Sequence, residues 1–98
     1  MAKRESSLVH RIRSAMEKRG AMTTKFHGSA MTPVGEPDVF ACYEGKAVLV
    51  EVKHPDEKTP VEPAQWYRMG LWKKAGARVG VAYSVEEAIK IMEGVDDA

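Results

Sequence analysis

The 98-residue sequence has one cysteine, Cys42, so no internal disulfide can form and a reducing setting is expected. The apolar runs Val39 to Cys42 and Ala47 to Val50 fall far short of the roughly 20 residues that a membrane span needs, so no membrane partner is expected. The opening residues, MAKRESS, lack the apolar stretch of an export signal, which makes the cytoplasm the expected compartment. A Gly-rich phosphate loop is missing, since Gly76 and Gly80 do not form a G-x-G-x-x-G pattern. Nor do Cys42, His10, His27 and His54 show the C-x-x-C or H-x3-H spacing of a zinc site.

Charge of one sign is also lacking overall, with 15 Lys and Arg against 14 Asp and Glu for a net +1. The distribution is uneven: residues 1 to 30 hold seven basic and two acidic residues, a local charge of +5, and the remainder carries −4. A basic segment followed by acidic residues suits a phosphate-facing surface beside a carboxylate site, and a plain solvated helix face accounts for the same charges equally well. With 44% apolar and 30% charged residues, the composition is that of one ordinary globular domain over residues 1–98. A chain of this length hides roughly 60 to 70% of its unfolded surface, so any active site must lie open on one face.

Leu8, Val9, Ile12, Ala15 and Met16 recur at helical spacing between Glu5 and Arg19, and Gly20 stands where a C-terminal cap is usual. A short strand is expected from Met22 to Phe26, then a loop through Gly35. Asp38 to Tyr43 and Lys46 to Lys53 read as two strands joined at Glu44-Gly45. Pro63 opens a second helix running to Lys74, Arg78 to Tyr83 reads as a strand, and Ser84-Val-Glu-Glu87 is a capping box for a last helix through Met92. This order predicts an α/β domain, one mixed sheet flanked by helices.

A two-residue turn at Glu44-Gly45 makes every cross-strand pair sum to 89, which sets Asp38 directly opposite Glu51 with the two side chains starting about 5 Å apart. Two carboxylates at that distance repel unless one takes a proton or a cation bridges them, and oxygen ligands suit Mg²⁺ or Mn²⁺. Alternation adds Lys53 to the same face and turns Val48, Val50 and Val52 into the core. Asp, Glu and Lys alternating with Val is equally the pattern of a solvated sheet face. Glu5 falls on the middle of the apolar stripe of the first helix, where it either joins the acidic group or favours the helix dipole from the first turn. Gln65 is either a surface residue of the second helix or an amide aimed at the site. Trp66, Tyr67, Met69 and Trp72 suit core or a dimer interface, with base stacking as the other use.

Taken together, Glu5-Ser6, Gly35-Glu-Pro-Asp38, Glu51-Val-Lys53 followed by Pro55, and Gln65 with Gly76 eleven residues later resemble the VRR-NUC family of the PD-(D/E)XK nuclease superfamily. The order and the 12 residues between Asp38 and Glu51 match that signature, and the resemblance spans Glu5 to about Met92. It implies a restriction-endonuclease-like core in α-β-β-β-α-β order, here with a C-terminal helix, and a Mg²⁺- or Mn²⁺-dependent endonuclease. In that reading Asp38, Glu51 and the Val52 carbonyl bind metal, Glu5 completes the acidic cluster, Lys53 orients or activates water, and Gln65 contacts the site. Small free-standing members resemble phage and bacterial homodimers that cut branched DNA such as four-way junctions, which implies DNA repair and a bacterial or phage-infected host cell. Candidate DNA contacts are Arg11, Arg13, Lys18, Lys25, His27 and His54, the last standing where the family often has arginine. A non-catalytic DNA-binding module of the same fold and a dimeric interaction protein are the competing functions.

Overall fold

The computed structural model describes residues 2–26, 35–56 and 60–95, and the side chains from residue 7 onward within them. Helix α1 (Ala2–Lys18) leads through strand β1 (Met22–Lys25) to the hairpin β2 (Val39–Tyr43) and β3 (Lys46–Val52). Helix α2 (Pro63–Lys74) then crosses to β4 (Arg78–Ala82), and α3 (Val85–Glu93) follows. The sheet order is β1-β2-β3-β4, antiparallel except for the parallel β3/β4 pair that α2 connects. Among the described residues no helix is long and apolar enough to cross a membrane.

The hairpin register is the one its turn demands. Val39 pairs with Val50 and Tyr43 with Lys46. Glu44 and Gly45 both adopt positive φ, 50° and 80°, the conformation of a two-residue turn whose twist matches the strands. Helix ends also follow the sequence signals. Ser84 Oγ accepts from Glu87 N–H, and Gly94 closes α3 in the left-handed region. Glu87 reaches back to the Tyr83 N–H, one residue earlier than a capping box requires.

Period-two alternation divides the sheet into two different faces. Val39, Val48, Val50, Val52 and Ala82 meet Ile12, Met16, Ala88 and Met92 from α1 and α3 in one dry core. Each fully buried side chain of this size contributes about 1.5–3 kcal/mol, enough to let the other face carry costly polar groups. On that face Phe40 stacks on Phe26 and meets Trp72 at a tilt, with ring centroids 5.8 and 5.9 Å apart, so α2 lies across it. The aromatic segment of α2 therefore divides: Met69 is buried and Trp72 half-buried, whereas Trp66 and Tyr67 face outward.

Because Gly45 holds φ at 80° with open space around its Cα, Gly45→Ala should cost about 1–2 kcal/mol from backbone strain alone. Urea unfolding measures this, and an unchanged midpoint would show that the turn does not hold the register.

Candidate active site

Asp38 is the last residue before β2, and the register places it across from Glu51 on β3. Its Oδ2 accepts the Val52 N–H at 2.9 Å, while its own carbonyl accepts the Phe26 N–H at 2.9 Å. The carboxyl is thus fixed to the main chain of β3, while the backbone of Asp38 is held by the residue that follows β1. Val52 can make this bond because β4 is served by the next residue, whose N–H donates to the Ala82 carbonyl.

Glu51 is 3% exposed and Lys53 7%. Lys53 Nζ stands 3.8 Å from Glu51 Oε2, and the same oxygen accepts from Gln65 Nε2 at 2.6 Å. Gln65 is itself held, since its Oε1 accepts the Glu62 N–H and closes the capping box at the start of α2. Burial pushes the Asp38 carboxyl above the ordinary aspartate range, outweighing the Val52 N–H, the charges of Lys53 and Lys25, and the hydrogen bond with Glu51. Two acidic groups are therefore pressed together where water is scarce.

This donor set fits a small hard cation. Mg²⁺ takes one or two carboxylates and keeps several waters, and two facing carboxylates of which one resists ionisation are short of positive charge. Among the described residues no group of three or more Asp, Glu, His or Cys gathers to hold a metal. Glu5 is in α1, and its side chain lies outside the described residues, as does His27.

Of the basic candidates, Lys25 acts on Asp38 directly through its charge. Arg13 is committed elsewhere: its Nε donates to Thr23 Oγ1 at 2.9 Å, and the guanidinium also faces Glu17. It therefore ties α1 to β1 while its side chain stays 35% exposed. Arg11 and Lys18 are exposed on α1. His54 is half-buried next to Lys53, and its Nδ1 accepts the Asp56 N–H at 3.1 Å.

One cluster escaped the sequence reading. Glu36, inside the Gly35 to Asp38 motif, receives both Arg68 Nε and Trp72 Nε1 at 3.0 Å on a single oxygen, Oε1. Burial pushes the Glu36 carboxyl up, yet these two bonds and the Arg68 charge outweigh it and hold the group below the ordinary glutamate range. The available signal was the spacing of Arg68 and Trp72, one helical turn apart on the side of α2 that carries Gln65.

Against solved structures, the chain is similar to a VRR_NUC domain, with 26% identity and a TM-score of 0.73 over 95% of this chain and 98% of that one. The chain has the VRR-NUC fold. The resemblance to the family and the expected mixed sheet flanked by helices are thus borne out in three dimensions. A second similar structure is Archaeoglobus fulgidus Hjc, a Holliday junction resolvase from an archaeal hyperthermophile. That likeness is 19% in identity with a TM-score of 0.63, covers 79% of this chain and 65% of that one, and concerns the VRR-NUC and resolvase folds alone. No protein-family model and no curated protein matches the sequence.

Taking an ion out of water costs several kcal/mol, and replacing a buried ion pair with well-fitting uncharged residues is often neutral or stabilising. The Glu51 and Lys53 charges thus contribute little to holding the VRR-NUC fold together. The double variant Glu51→Gln, Lys53→Met should be as stable as wild type, or more stable by about 1–4 kcal/mol, in chelator-treated protein. A clear loss of stability in denaturant titration would make the charges structural.

Proposed function

We propose that this protein is a divalent-metal-dependent DNA endonuclease that hydrolyses phosphodiester bonds in branched DNA such as four-way junctions or flaps. The observation that carries the reading is the group of buried Glu51 and Lys53 with half-buried Asp38 on one sheet face, joined by Gln65, in a chain with the VRR-NUC fold. The fold and the charge cost argue together, since a binding module would have no use for these three charges in a desolvated group.

Asp38, Glu51 and the Val52 carbonyl would hold Mg²⁺ or Mn²⁺, with Glu5 of α1 as a further ligand. A bound divalent ion would supply Lewis acidity and charge neutralisation at the scissile phosphate. The remaining work falls to the chain itself. The Val52 N–H and Gln65 hold the two carboxylates in place, so ligand geometry is set before substrate arrives. The Lys53 ammonium, beside Glu51, orients the attacking water and offsets the charge that builds on the phosphate. Lys25, His54, Arg11, Lys18 and His27 are the proposed DNA contacts.

The test is cleavage of labelled duplex, flap and four-way-junction DNA with and without Mn²⁺. Wild type should cut branched DNA only with metal, and Glu51→Gln, Lys53→Met and Glu5→Gln should each lose at least about 100-fold in rate while retaining DNA binding. Arg11→Ala and Lys18→Ala should each lower the salt slope of duplex binding by about 0.9 if they meet phosphate. Folded, metal-loaded wild type that binds junctions and leaves every bond intact would make the protein a non-catalytic binding module.

A homodimer is part of the same reading. Trp66, Tyr67 and Leu71 are 57%, 67% and 41% exposed on the outer side of α2, an apolar strip that a second copy would cover. A two-fold axis would then supply two sites for paired cuts on opposing strands. Sedimentation at micromolar concentration should show a dimer that Tyr67→Glu with Leu71→Glu converts to monomer. A wild-type monomer that still makes paired cuts would remove this part of the proposal.

A further inference from the structure

The segment that delivers Asp38 is tied to α2 at two successive residues. Gly35, with φ at +89°, lies so close to the α2 backbone that a Cβ there would stand 2.5 Å from the Ala64 carbonyl oxygen. The next residue, Glu36, is the acceptor shared by Arg68 and Trp72, its side chain 9% exposed. Buried Pro37 follows, its ring fixing φ, so a displacement of Glu36 passes to Asp38 with little slack. Gln65 of the same helix meanwhile grips Glu51. One rigid helix therefore reaches both carboxylates, Glu51 directly and Asp38 through Gly35 to Pro37.

We propose that Glu36, Arg68 and Trp72 are positioning residues that set the approach of Asp38 to Glu51, and through it the affinity of the site for a divalent cation. Proximity alone would be secured by an apolar contact. Two donors converging on one carboxylate oxygen, one of them charged, instead fix the direction of the side chain. Among the described residues, the hydrogen bonds of the cluster go to neither Lys53 nor Arg11, Lys18, Lys25 or His54, so it acts on metal binding and on the rate, and leaves DNA affinity alone. This inference rests on the nuclease reading, and its test separates the two.

The probe is Mn²⁺, titrated calorimetrically into DNA-free protein, alongside kcat and KM on junction DNA and thermal melting. Glu36→Ala and Arg68→Met should lose about 10- to 100-fold in Mn²⁺ affinity and in kcat, with KM for DNA within about twofold. Arg68→Lys, which keeps the charge and one donor, should recover most of the loss. Trp72→Phe keeps the ring against Phe40 and deletes only the N–H, so it should melt close to wild type and still bind Mn²⁺ several-fold more weakly; it decides the matter if the other variants fail to fold. Wild type that binds Mn²⁺ and cuts DNA, with folded variants matching it in both, overturns this inference alone, whatever their melting temperatures. Wild type that neither binds Mn²⁺ nor cuts overturns the nuclease reading and this inference together.

Discussion

Two acidic side chains facing each other across antiparallel strands, in a place where water is scarce, are the constraint to which the rest of this domain responds. Left alone, Asp38 and Glu51 would repel, and burial already holds Asp38 toward its protonated form. The surrounding groups act on this conflict one by one. The Val52 N–H fixes Asp38, Gln65 fixes Glu51, and the Lys53 ammonium supplies one positive charge against two acids. Lys25 adds its charge to Asp38 from β1, and burial still prevails over all of these groups.

The two faces of the sheet share the labour. Ile12, Met16 and Met92 build an apolar core on the α1/α3 face, and its burial offsets a second face on which charges are desolvated at a cost. The site lies on the sheet face that α2 crosses. Helix α2 works there as a brace: Phe40 packs on Trp72, and Gln65 and Arg68 hold groups that belong to three different parts of the chain.

What was legible in the sequence was local or rested on a counting rule. A two-residue turn leaves one register, so Asp38 opposite Glu51 followed from Glu44-Gly45 alone, and the bounds of α2 followed from Pro63 and Gly76. Partners far apart in sequence were not legible. Glu36 meets Arg68 and Trp72 across 32 and 36 positions, a pairing that no periodicity encodes. Arg13 meets Thr23 across 10 positions, a bond between helix and strand that the spacing within α1 does not encode. The aromatic run of α2 has too even a distribution of apolar residues to say which side faces the sheet. Tertiary packing decides that, burying Met69 and leaving Trp66 and Tyr67 outside.

The central claim is that the Asp38 and Glu51 carboxylates together hold a divalent ion, and the most direct measurement is anomalous diffraction from crystals of the protein soaked in Mn²⁺. The account predicts a manganese peak in contact with both the Asp38 and the Glu51 side chains. A well-ordered site with both carboxylates in place and no manganese between them, at a concentration that saturates known metal-dependent nucleases, would contradict it.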